Sequence, residues 1–234
     1  MQEVVVLGSG VAGLTAALAA AEAGAAVHVI EQADFFGGTT ALSGGVAWMP
    51  NNHLMEPNGV EDCDDDALRY LLAVVDGEID LGLLKVFGQE ARSTALWVEE
   101  LTPLRWESLP YPDYFPECVG GRLGHRSLEP RGWPVPEEIA RQIRSAPNVA
   151  LPVAYGELLD GMPSKEELKR RTEQGILTMG RALVAGLFSA AVQKGVRFEA
   201  GTRIASLSDL PESSSVVLAT GGFERNRDLC VEHL

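Results

Sequence analysis

Gly8-Ser9-Gly10-Val11-Ala12-Gly13 lies between an apolar run, Val4 to Leu7, and an Ala-rich stretch, Leu14 to Ala23. The run reads as a buried parallel strand and the stretch as a helix. Eighteen residues past Gly13, Glu31 closes a second apolar run, Val27-His28-Val29-Ile30. Strand, glycine turn, helix, strand and acid in that order make the dinucleotide-binding pattern. Gly8 permits the tight turn, Gly10 lets backbone approach a pyrophosphate, and Gly13 lets helix and strand pack closely. Val11 and Ala12 join the expected cofactor-binding residues, beside a helix N-terminus whose free N–H groups and positive dipole end suit phosphates. Glu31 offers acceptors to ribose hydroxyls.

Composition sets bounds on the rest. A chain of 234 residues with 46% hydrophobic content can bury a substantial core as one large domain, or a domain and a half. A formal net charge of −14 argues against nucleic acid and anionic membrane surfaces as partners. Cys63, Cys118 and Cys230 are widely spaced and fit neither a disulfide framework nor a metal site. They read as packing thiols of a reducing compartment. No signal peptide and no apolar run of membrane-spanning length is visible, Leu183 to Val192 being short and interrupted by Gly186. The expected location is cytoplasmic.

Beyond the first unit, residues 34–52 form a loop rich in Gly, Thr and Ser that ends in Trp48-Met49-Pro50-Asn51-Asn52. Helical patterns cover Asp62 to Val75, Asp80 to Leu101, Pro136 to Ser145, Ser164 to Thr172 and Leu177 to Lys194. Ser164 and Glu167 have the spacing of a capping box. Residues 102–136 carry Pro, Gly and aromatics without a period, as an active-site loop does. Val196 to Glu199 and Ser215 to Ala219 read as strands. His28, His53, His125 and His233 share no spacing and make no catalytic dyad.

The first unit alone does not separate NAD from FAD. Phe36-Gly37-Gly38-Thr39-Thr40 suits a loop folded over a pyrophosphate and ribityl chain. Ser43-Gly44-Gly45 lets backbone lie flat against a planar ring. The late strand Val216-Val217-Leu218-Ala219-Thr220-Gly221-Gly222 resembles the Ala-Thr-Gly strand end that flavoproteins place beside their cofactor. Together, in this order, these segments favour FAD.

Here the chain resembles a known family. Residues 37–52 are similar to those of the 3-ketosteroid Δ1-dehydrogenases, which belong to the fumarate-reductase-like FAD flavoproteins. Tyr111-Pro112-Asp113-Tyr114-Phe115-Pro116-Glu117, Gly120-Gly121-Arg122 and Arg126-Ser127-Leu128-Glu129-Pro130 carry the same resemblance. So do Thr178 to Leu183 and Ala219 to Glu224. The implied fold is α/β: a Rossmann-like FAD-binding domain over residues 1–234, with a parallel sheet flanked by helices and the substrate (cap) domain absent. Ile204, in the Gly-Thr-Arg-Ile segment (201–204) that the resemblance implies is a strand, joins the implied cofactor residues.

The implied reaction removes hydrogens from C1 and C2 of a 3-oxosteroid ring, hydride going to flavin N5. A polarised carbonyl acidifies the C2 proton, and the protein must orient the ring and stabilise enolate charge. Tyr114 matches the tyrosine that supports the family's catalytic base, a second tyrosine. A phenol acting as base needs its ordinary pKa of about 10 lowered by neighbours. Tyr111 reads as structural. Arg122 and Arg126 read as structural salt-bridge residues, Glu117 and Glu129 being examples of partners. The resemblance also implies chains about twice this length, so the base tyrosine, the carbonyl-polarising groups and the segment closing the FAD site are expected in a missing half. Relatives carry a small β-meander where this chain has Ser206 to Ser215, and ten residues cannot form three strands. Two expectations follow. One is a steroid dehydrogenase component (a fragment, one subunit of a split enzyme or a truncated product) whose missing half is supplied elsewhere, with a second subunit or homodimer as a partner. The other is a non-catalytic FAD- or nucleotide-binding module. A related flavin reductase acting on a dicarboxylate is a weaker third.

Overall fold

The structure, a computed structural model, describes residues 3–76, 79–211, 214–223 and 226–233. Glu224, in the late motif, lies outside the described residues, as do Glu212 and Ser213. Along the chain run β1 (Glu3–Leu7), α1 (Val11–Glu22), β2 (Ala26–Ile30), β3 (Ala47–Trp48), α2 (Asp64–Val74) and α3 (Leu81–Leu101). Then come β4 (Trp106–Ser108), β5 (Ser127–Pro130), β6 (Trp133–Pro134), α4 (Glu137–Ala140), α5 (Glu157–Asp160) and α6 (Lys165–Glu173). The last are β7 (Ile176–Leu177), α7 (Met179–Gln193), β8 (Arg197–Glu199), β9 (Ser215–Leu218) and α8 (Arg227–His233).

β1 is apolar on both sides because both faces of its sheet are covered. The sheet has the order β8-β2-β1-β9, with every described pairing parallel. Val6, Val27 and Val29 face Ala17 of α1 and Ala191 of α7. Val5, Leu7 and Ile30 face the other way, onto Leu210 and Ile204. The helices therefore hold one face, and an irregular segment closes the other. α7 lies against α1 and under the glycine-rich loop. Ten of its residues are buried, which suits its composition of Ala, Leu, Gly and Val. Gly186 is required there, because a Cβ would stand 2.4 Å from Leu104 Cγ.

Residues 102–136 are not loop throughout. β4 and β5 pair antiparallel, and β3 adds to β5. Arg126, 1% exposed, pins this layer. Its guanidinium donates to both Asp62 oxygens (2.8 and 2.6 Å) and to Asp113 Oδ2 (2.9 Å). Arg122 bonds Asp66 Oδ2 at 2.6 Å. Both arginines are structural, as expected, but their partners are Asp62, Asp66 and Asp113 instead of Glu117 or Glu129.

Three local expectations change. The helix after Pro136 stops at Ala140, because Phe36 N–H bonds Gln142 O and Arg144 N–H bonds Phe36 O, drawing the chain into a bridge. Ser164 Oγ does accept from Glu167 N–H, but the Glu167 carboxylate turns to Arg170 and Arg171, leaving half a capping box. Residues 201–204 are not a strand: Gly201 (φ +72°) turns, and Thr202 N–H bonds Glu31 O past the end of β2. Leu207–Asp209 form one turn of 3₁₀-helix that delivers Leu210 to the sheet.

Candidate functional site

The site lies at the C-terminal ends of β1, β2 and β9. Gly8 has φ +103°, and a Cβ there would meet Ala219 O at 2.3 Å. A Cβ on Gly13 would meet Gly8 O at 2.0 Å. Both are therefore confined to glycine by protein backbone. Gly10 is different. Its φ is −68°, and the nearest atom to a built Cβ is Thr40 Oγ1 at 3.5 Å. The fold would accept a small side chain at Gly10, so packing does not confine that position to glycine. Gly10 caps α1 without a side-chain hydrogen bond, and Val11 and Ala12 are exposed in the first turn. Val11 N–H donates to Thr40 Oγ1 at 3.0 Å. The helix start is an accessible set of N–H donors with a hydroxyl beside it.

Glu31 is 6% exposed and its carboxylate already works within the protein. Oε2 accepts from Ser9 N–H (3.1 Å) and Ser9 Oγ–H (2.5 Å), and Oε1 accepts from Ala33 N–H (3.0 Å). Ser9 Oγ in turn accepts from Gly37 N–H at 2.9 Å. Ser9 thus joins the first glycine turn, the acid and the second glycine loop. The motif pattern leaves its position free, so spacing does not single it out. Carboxylate oxygens have lone pairs to spare, and Glu31 retains acceptor capacity toward a ribose.

The second loop folds back on the first. Gly37 (φ +112°) packs on Ala41 and Val184, and Gly38 (φ +51°) brings its Cβ position within 3.7 Å of Gly10 Cα and N. Thr39 is exposed and Thr40 half-buried, in a turn that continues through Leu42. Ser43 Oγ donates to Thr40 O (2.8 Å) and accepts from Gly45 N–H (3.1 Å). Ser43 O accepts from Gly180 N–H at the start of α7. The Cβ sides of the next two glycines are occupied by protein and leave no room there for a planar ring. A Cβ on Gly44 would stand 3.3 Å from Tyr155 Cδ2, and one on Gly45 would stand 2.5 Å from Gly180 N.

Ala219 is half-buried against Gly8 and Gly13, with its N–H on Leu7 O at 2.9 Å. Thr220 and Gly221 (φ +80°) are exposed just beyond it. Ile204 packs beneath the sheet. The residues named from the sequence around both glycine segments and Ala219 therefore converge. Tyr114 does not join them through any hydrogen bond among the described residues, and it is 97% exposed. Its neighbour Asp113 is buried, accepting from Trp48 Nε1–H (2.7 Å), Arg122 N–H and Arg126. Asp113 fixes the base of the loop that carries Tyr114.

The family described as FAD binding domain matches residues 3–234. Among curated proteins, 3-oxosteroid 1-dehydrogenase of Mycobacterium tuberculosis is 31% identical over 99% of this chain and 49% of its own length. The 4-oxocyclohexanecarboxylate 2-dehydrogenase of Sinomonas cyclohexanicum is 34% identical over 97% of this chain and 44% of its own. Among solved structures, the 3-ketosteroid Δ1-dehydrogenase of Sterolibacterium denitrificans, in complex with 1,4-androstadiene-3,17-dione, superposes with TM-score 0.82 at 25% identity. That match covers 99% of this chain and 50% of the other. The chain spans about half the length of the relatives it matches. No helix among the described residues is long and apolar enough to cross a membrane.

Proposed function

The chain belongs to the FAD binding domain family, its cofactor is FAD, and we propose that it acts in the α,β-desaturation of a cyclic ketone of the 3-oxosteroid kind. The observation that carries the reading is the approach of Gly38 to Gly10 over the exposed start of α1. Two backbone segments without side chains face one another there, beside N–H donors and a threonine hydroxyl. That arrangement suits a diphosphate lying across the two adjoining segments, against those donors. Gly8, Gly10, Val11, Ala12 and Gly13 would hold it with Gly38, Thr39 and Thr40, while Glu31 meets the ribose. Ser43, Gly44 and Gly45 would carry the flavin end, with Ala219, Thr220 and Gly221 bounding the cradle at the end of β9 and Ile204 on the Glu31 side.

When bound, FAD accepts the hydride. The protein's own part is to hold the ketone ring in register and to manage the proton next to the carbonyl. Tyr114, on its exposed loop above the Asp113–Arg126 anchor, stands free to meet substrate or a covering segment. The remaining groups that the reaction needs would come from a second half or partner, in a cytoplasmic enzyme. β9 supports such a partner: Leu218 is 65% exposed beside the cofactor strand.

The relative acting on 4-oxocyclohexanecarboxylate supports a smaller ring ketone as a second substrate class. One assay separates these readings. The FAD-loaded protein, with and without a co-encoded partner chain, is given a 3-oxo-4-ene steroid or 4-oxocyclohexanecarboxylate and an electron-accepting dye. Dye reduction with the steroid supports the main reading, and reduction with the keto acid alone supports the second. FAD uptake with neither reaction, partner present, leaves a binding module and overturns the enzymatic proposal.

A further inference from the structure

Tyr155 is held in place by its backbone. Glu129 on β5 is 1% exposed and accepts from Tyr155 N–H at 2.8 Å and Gly156 N–H at 2.9 Å. A Cβ on Gly156 would stand 2.5 Å from Glu129 Oε1, so glycine is what lets the loop close on the carboxylate. Burial pushes the Glu129 carboxyl above its ordinary range, and the two N–H groups pull against that shift. The outcome is a rigid mount for the Tyr155 ring, which lies over Gly44. Tyr111 tilts against it, with ring centroids 5.7 Å apart. Burial, then the neighbouring Tyr155, pushes the Tyr111 phenol above its ordinary value.

Two mutually packed phenols thus stand at the loop to which the proposed function gives the flavin ring. Tyr114 points to water. We propose that Tyr111 and Tyr155 form the aromatic wall at the flavin ring against which a flat ring substrate lies, with Tyr155 the positioning residue for Tyr111. This rests on the reading that Ser43–Gly45 carries the flavin end. Sequence alone assigned Tyr111 to structure and gave Tyr155 no role, because its approach to Gly44 is made through Glu129, 26 residues away.

Flavin emission tests the wall without needing turnover. Free FAD is partly dark because adenine stacks on the flavin, and an extended bound pose separates them. A phenol in contact with the excited flavin darkens it again by lending and recovering an electron. FAD is titrated into wild type, Tyr111→Phe, Tyr155→Phe, the double variant and Tyr114→Phe. Phenylalanine keeps the ring packing, so affinity should change little. The wild-type complex is expected to be dim, the double variant several-fold brighter, and Tyr114→Phe unchanged. A double variant that binds FAD and stays as dim as wild type overturns the proposal, as does brightening in Tyr114→Phe alone. Failure of wild type to take up FAD overturns the cofactor reading beneath it, and this inference with it.

Discussion

A single hydroxyl ties the site together at the scale of the residue. Ser9 Oγ donates to Glu31 and accepts from Gly37 N–H, and Ser9 is 0% exposed. Removing it leaves a buried N–H and a buried carboxylate each short of a partner. Ser9→Ala should therefore cost about 1–3 kcal/mol of stability, the usual penalty for unsatisfied buried polar groups. Urea unfolding should show it as a lower midpoint with an unchanged slope. A midpoint equal to wild type would mean that the hydroxyl does not join the two loops. Gly8, Gly13 and Glu31 were legible in the sequence because each answers to a spacing rule. Ser9 was not, since only the fold brings Gly37 to it. Tyr114 was legible as a motif residue, but its 97% exposure could not be read from the motif.

At the scale of elements, periodicity located both halves of the βαβ unit, α3, α6 and α7 to within a few residues. Elements defined by long-range contact were less legible. The early end of α4 depends on a bridge to Phe36, and residues 201–204 depend on Glu31 O and Ala33 O. The β4–β5 layer is held by Arg126 and two aspartates from distant segments. The β2–β8 pair makes a testable case. His28 on β2 accepts at Nδ1 from Arg197 Nη2 (2.8 Å), and its Nε2 stands 3.1 Å from Glu199 Oε2. Burial, then Arg197, lowers its pKa below the ordinary 6.5. A proton on Nδ1 would put two donors face to face. Below pH 6.5 the unfolded chain binds a proton that the folded chain resists, so stability should fall with pH through that window. His28→Gln should flatten the slope of unfolding free energy against pH between the ordinary imidazole value and the lower folded one. An equal slope in the variant would place the titration elsewhere.

At the scale of the whole molecule, the C-terminal ends of a parallel sheet meet two glycine segments. An antiparallel layer holds the Tyr114 loop, and α7 supports the second glycine segment from below. The chain spans about half the length of the relatives it matches, and under the proposed function catalysis would draw on a second half or partner while these residues hold the cofactor. The cradle makes one contrast that packing alone cannot mimic. Gly8→Ala would drive a Cβ to 2.3 Å from Ala219 O and should cost stability, whereas Gly10→Ala meets nothing closer than 3.5 Å. The decisive measurement is FAD affinity and thermal midpoint for wild type and Gly10→Ala side by side. Equal midpoints without ligand are expected, with FAD bound at least about tenfold more weakly by the variant, or ~1.4 kcal/mol. FAD bound equally well by both proteins would contradict it, because the diphosphate would then not lie against Gly10.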